Sequence, residues 1–147
     1  MTRALVHCMK ESNLYEHRDL MPQTEQSAGV DLRSAEEVYL SPGDRVVVRT
    51  GLRVATPPET ELQIRPRSGF ALTEGVTVLN SPGTIDSDYR GEIGVILINH
   101  GDKTVHIERG MRIAQAVLSK YIPFKFFPVE KLDETVRGEG GFGSTGV

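Results

Sequence analysis

The sequence predicts an all-β domain, on three observations. Short alternating apolar runs recur along the chain, and the breaks between them carry turn residues rather than helix caps. No window holds the 3.6-residue period of a long amphipathic helix. Many short strands at regular spacing close into a sandwich, a jelly roll or a barrel. We therefore expect one jelly-roll-like β-barrel or sandwich with at most one short helix.

The elements follow in order. Ala4–Met9 alternates and contains Cys8, the single cysteine, which the pattern places as a small buried hydrophobe. Ala28-Gly29-Val30-Asp31-Leu32 reads as a strand with a carboxylate between apolar neighbours. Val38–Leu40 and Arg45–Arg49 flank the turn Ser41-Pro42-Gly43-Asp44. Leu62–Arg65 follows the break at Thr56-Pro57-Pro58, and Gly69–Thr73 is the one expected helical turn. Val76–Leu79 precedes Ser81-Pro82-Gly83. Ile93–Asn99 and Thr104–Ile107 lie on either side of Asn99-His100-Gly101-Asp102, and Ile113–Tyr121 is the last expected strand. From Arg137 to Val147 the chain has five glycines and little to bury, so residues 1–136 are expected to form the domain and 137–147 an arm.

Size and composition narrow the function. The 147 residues suffice for one domain with a hydrophobic core. No apolar run approaches the roughly 20 residues that span a bilayer, and the start of the chain lacks the marks of a signal peptide. The expected location is the cytoplasm, with no membrane partner. One cysteine excludes an intrachain disulfide and a cysteine-based metal cluster. A net charge of −3 argues against a broad nucleic-acid surface. Clustered arginines (Arg65, Arg67, Arg90, Arg109, Arg112 and Arg137) leave room for a small anion site.

Several segments carry chemistry suited to a triphosphate. Asp86 and Asp88 lie in an acidic turn, Thr84-Ile85-Asp86-Ser87-Asp88-Tyr89. A phosphoanhydride is hydrolysed when a carboxylate orients and deprotonates water while cations disperse the phosphate charge. Ile85 reads as core-facing, which would hold Asp86 firmly and shield it. Tyr89 suits either a core ring or a stacking floor for a sugar. Arg65-Pro66-Arg67-Ser68-Gly69-Phe70-Ala71 sets a cation fork and a hydroxyl before a tight turn whose free amides bind phosphate. Asp31 suits either a carboxylate satisfied by backbone or one holding metal-bound water. Gln115 needs a partner, supplied by a phosphate, by a metal-bound water or by backbone. The arm adds a cation, a ring and hydroxyls among glycines, groups able to close over a nucleotide.

Taken together, Ala28–Leu32, Pro66–Ala71, Gly83–Ile93, Arg112–Gln115 and Arg137–Gly146 resemble the five ordered motifs of the trimeric dUTPases. The resemblance runs from about Ala28 to the C-terminus. It implies hydrolysis of dUTP to dUMP and pyrophosphate by water attack on the α-phosphorus, with Asp86 as the base and Mg2+ as cofactor. It also implies that Tyr89 stacks under the deoxyribose. Asn80 and the backbone of Gly83, Thr84 and Ile85 read uracil, and Arg67, Ser68 and Gly69 hold phosphates. Asp31 and Gln115 act on the metal through water, Gln115 also facing substrate. Phe142 stacks on the uracil, Arg137, Ser144 and Thr145 meet the phosphates, and Gly143 is a further substrate-binding residue. Family members are homotrimers with sites shared between subunits. Two departures stand out: Gly94 where a longer side chain is common, and Val30 where an aromatic is. The alternatives are a dCTP deaminase on the same fold, a non-catalytic nucleotide-sensing or protein-binding module, and a nucleic-acid-binding barrel.

Overall fold

The computed structural model describes residues 3–11 and 13–146; Met1, Thr2 and Val147, the outer ends of the two expected units, lie outside the described residues, as does Ser12. Ten strands and one α-helix follow in order: β1 (His7–Lys10), β2 (Gly29–Arg33), β3 (Val38–Leu40), β4 (Arg45–Ala55), β5 (Thr60–Arg65), α1 (Ser68–Glu74), β6 (Val76–Val78), β7 (Gly83–Ile85), β8 (Glu92–Asn99), β9 (Val105–Ile107) and β10 (Arg112–Lys120). One sheet has the order β1-β4-β8-β6, a second β2-β10-β5-β7, and β3 pairs with β9 alone. All pairings are antiparallel. One core joins the sheets, with Val48, Ile93, Val95 and Leu97 from the first and Leu32, Ile64, Ile113 and Ala116 from the second. The all-β jelly-roll-like expectation stands.

Strand periodicity explains this packing. On β8, Ile93, Val95, Leu97 and Asn99 point inward, while Glu92, Gly94, Ile96 and Ile98 face out. Asn99 is fully buried yet satisfied: its amide nitrogen donates to the carbonyls of Leu40 and Lys103, and its oxygen accepts from the Gly101 amide.

Several boundaries differ from the sequence reading. β4 runs on past Arg49, where the expected strand ended, to Ala55, because a bulge between Arg49 and Arg53 absorbs two residues more than β8 has opposite it. Gly51 takes φ +67° there, and its amide donates to the Glu92 carboxylate at 2.8 Å. β7 was not foreseen; three residues with one glycine give too short a pattern, and only pairing with β5 makes them a strand. A short 3-10 turn at His17–Leu20 was also missed. Cys8 is exposed rather than buried, a correction that follows from β1 being an edge strand exposed at every residue. At Gly94 a Cβ would approach Cγ1 of exposed Val47 to 2.8 Å, so a side chain there would require that valine to turn aside.

Tyr15 ties the N-terminal segment to both sheets. Its ring is 2% exposed, and its hydroxyl donates to the Thr50 carbonyl (2.7 Å) and accepts from the Arg33 amide (3.0 Å). Burial pushes the phenol up to about 12. Tyr15→Phe should cost about 1–3 kcal/mol, because it strands two backbone groups. Since the folded value lies above the ordinary one of 10.0, the neutral phenol's contribution is intact below that pH and is lost as pH rises towards about 12. Thermal melts of the two proteins across this range check both points: the wild-type advantage should be full at neutral pH and narrow in alkali.

Candidate active site

A cavity of about 440 Å³ opens where β2, β10 and β5 meet the start of α1. The local sequence builds it. Pro66 ends β5, and Arg67, in extended conformation at φ −92° and ψ 129°, becomes the helix N-cap. No side chain caps the helix, so the first amides of α1 stay available. Buried Phe70 anchors the helix. Gly75 ends it in left-handed conformation, and a Cβ there would fall 2.6 Å from the Gly101 nitrogen, so both backbone and space demand glycine.

Register then aligns the polar groups. Asp31 on β2 pairs with Gln115 on β10, which pairs with Arg65 on β5, so all three share one face of the sheet. The Asp31 carboxylate bridges two guanidiniums: Oδ1 accepts from Arg67 Nε at 2.9 Å, and Oδ2 from Arg112 Nη1 at 3.3 Å. Arg65 donates instead to the Gln63 side-chain oxygen, Oε1, from Nη2 at 2.6 Å and from Nε at 3.1 Å. The Gln115 amide nitrogen donates to the Pro66 carbonyl at 3.0 Å. Of the partners left open for Gln115 by the sequence, backbone is the one this structure contains. The cavity lining thus holds three guanidiniums (Arg65, Arg67, Arg112) against one carboxylate (Asp31), an excess of positive charge in a chain whose net charge is −3.

Of the expected residues, Asp31, Arg67, Ser68, Gly69 and Gln115 line this cavity together. Arg65, Arg112 and Gly29 line it too and were not assigned. The signal for the arginines was present: Arg65 stands two before Arg67, and Arg112 opens the strand that carries Gln115. No group of three or more His, Cys, Asp or Glu able to hold a metal directly occurs among the described residues.

The acidic turn lies elsewhere. On β7, Gly83 pairs with Ile64 and Ile85 with Leu62, so Asp86 follows at the end of β5 remote from the cavity. At roughly 3.3 Å per residue, Asp86 sits about 13 Å along the strand from Arg65. Ile85 packs against the core as expected, but Asp86 is exposed, not shielded. The turn is closed by the Tyr89 amide donating to the Asp86 carbonyl (3.1 Å) and pinned by Arg90, which donates to the Ser87 and Tyr89 carbonyls. The Tyr89 hydroxyl donates to the Glu92 carbonyl at 3.1 Å and leaves its ring 44% exposed. Gly91 makes room for that ring, since a Cβ there would lie 2.2 Å from the Tyr89 hydroxyl. Asn80 comes near Gly83, which is buried; a Cβ at 83 would press on Ile64 at 3.3 Å and on the Asn80 nitrogen at 3.4 Å.

β10 ends at Lys120, and residues 121–146 form no further helix or strand. Ile122, Phe124, Phe126 and Phe127 are exposed, as is Phe142. Around the glycines the chain makes local turns: Arg137 Nε donates to the Gly140 carbonyl, and the Ser144 amide to that of Gly141. Arg137, Phe142, Gly143, Ser144 and Thr145 line no part of the cavity described above. No helix is long and apolar enough to cross a membrane.

Fold and cavity define an all-β protein with a cationic, amide-lined pocket suited to a polyphosphate. The sequence pattern of the dUTPase family matches residues 16–146, and the chain belongs to that family. It is 53% identical over 133 residues to a deoxyuridine 5′-triphosphate nucleotidohydrolase of Crocosphaera subtropica, covering 90% of this chain and 89% of that protein. Its counterpart in Clostridium novyi is 55% identical over 123 residues, covering 84% and 87%. Among solved structures, the dUTPase of Staphylococcus bacteriophage 80alpha with dUPNHPP superposes with a TM-score of 0.85 at 26% identity, covering 97% of this chain and 99% of that one.

Proposed function

We propose that this chain hydrolyses dUTP to dUMP and pyrophosphate, in the supply of dUMP and the exclusion of uracil from DNA. The observation that carries this reading is the cavity of three guanidiniums and one carboxylate beside the free amides of α1, in a chain of the dUTPase family. Arg67 donates to the phosphates with Ser68 and Gly69, whose amides are unused by the helix. Asp86 takes the proton from the water that attacks the α-phosphorus. Tyr89 offers its open ring to the deoxyribose, and Asn80 with the Gly83–Ile85 backbone reads the uracil edge. The bacteriophage dUTPase with dUPNHPP supports a triphosphate ligand.

Magnesium fits as a cofactor held by phosphate oxygens and water. The cavity offers one carboxylate and two side-chain amide oxygens, those of Gln23 and Gln115, too few for a protein cage and enough for outer-sphere contacts. Asp31 keeps free lone pairs on both oxygens beside its arginine bonds, and Gln115 presents its oxygen. The ion supplies charge neutralisation on the triphosphate when bound. Three guanidiniums and one carboxylate leave two positive charges in the lining, which complements the charge of a magnesium–triphosphate complex.

A base must stand within hydrogen-bond reach, or one water, of the reaction. One chain holds Asp86 about 13 Å along β5 from Arg65; in the homotrimer that the family resemblance implies, one subunit's turn would serve another's cavity. The arm supplies Arg137, Phe142, Gly143, Ser144 and Thr145 to a site so formed, making residues 137–147 the closing unit on a barrel of residues 1–136. A nucleotide-pool enzyme works beside its substrate, and we place it in the cytoplasm.

A panel of dUTP, UTP, dTTP and dCTP with magnesium, scoring pyrophosphate and ammonia separately, tests the activity. Pyrophosphate from dUTP alone is expected. Ammonia from dCTP would instead establish a deaminase, and no product from any nucleotide a binding module.

A further inference from the structure

Gly29 on β2 pairs with Val117, two residues along from the pairing of Asp31 with Gln115. Gly29, Asp31 and Gln115 therefore share the face that carries the cavity. The Gln115 side chain leans over Gly29: a Cβ built at position 29 would lie 2.1 Å from Oε1 and 3.1 Å from the carboxamide carbon. Gly29 is not among the glycines of positive φ, so its backbone does not require glycine. What requires glycine is the space. All three of the nearest atoms belong to Gln115, whose outer end can swing away, so a methyl group here displaces the side chain rather than the strand.

The carboxamide orientation follows from its partner. The Pro66 carbonyl can only accept, so nitrogen faces it at 3.0 Å and the oxygen lies over Gly29. Among the described residues that oxygen has no hydrogen-bond partner. Pro66 is the residue before Arg67 and Ser68, so the same amide braces the strand-to-helix junction that presents them. We propose that Gly29 is a positioning residue: its missing side chain is the slot that holds the Gln115 carboxamide, nitrogen on the Pro66 carbonyl and oxygen towards the cavity. This rests on the reading of the cavity as the phosphate site.

A double-mutant cycle of Gly29→Ala and Gln115→Ala tests it. G29A should lower kcat/KM for dUTP by about 10- to 100-fold, the usual loss when an orienting partner is removed, with little change in Tm. G29A/Q115A should match Q115A, because alanine at 29 has nothing left to displace. The side-chain amide NMR resonances of Gln115 should move in G29A. Were G29A too unstable to assay, the double mutant should recover folding, since the clash is with Gln115 alone. Additive losses, full activity in G29A, or an unmoved Gln115 amide would each overturn the proposal. A wild-type chain inactive on every nucleotide would defeat the proposed function, while the amide shift would still decide the role of Gly29.

Discussion

Asp86→Asn should bind dUTP nearly as the wild type does and lose about 10²- to 10⁴-fold in kcat. Asparagine keeps the shape of the side chain but cannot accept the proton of the attacking water. The turn itself survives the change, since it is closed by the Tyr89 amide on the Asp86 carbonyl and pinned by Arg90. The carboxylate is exposed, so no buried network is broken. Affinity measured by calorimetry and turnover measured by pyrophosphate release should therefore separate. Turnover within about tenfold of wild type would take the general-base role away from Asp86.

Truncation after Val136 should leave the barrel's melting temperature unchanged and reduce kcat/KM by at least about 10²-fold, the scale of losing one charge-stabilising donor. The removed segment carries Arg137, Phe142, Ser144 and Thr145, and its hydrogen bonds among the described residues are local. Nothing in the core depends on it. Full activity in the truncated chain would make the segment a plain tail. Mixing the truncated chain with Asp86→Asn subunits extends the test. If the turn and the arm at one site come from different subunits, mixed assemblies regain activity that neither parent has; failure to complement would place both on one chain.

Much of the chemistry was legible in the residues. Arg67, Ser68 and Gly69 at a strand-to-helix junction are a local pattern, and the structure places them beside a cavity as that pattern implies. Inward alternation on β8 was equally plain, because a period of two needs no tertiary information. Cys8 was misjudged for a related reason: alternation describes a strand but not whether another strand or solvent lies beside it. β7 was missed because its status depends on a partner some twenty residues away.

The fold class, the helical junction, the acidic turn and the types of group available for phosphate chemistry could all be read from the residues. All of these rest on local spacing and side-chain identity. Tertiary structure alone decided which groups meet. The row Asp31–Gln115–Arg65 exists because β10 takes one register against β2 and one against β5, and a slip of one residue would turn each side chain to the opposite face. The same pairing of β7 with β5 carries Asp86 away from the cavity. Register is a property of long-range strand contacts, and no window of the sequence contains it.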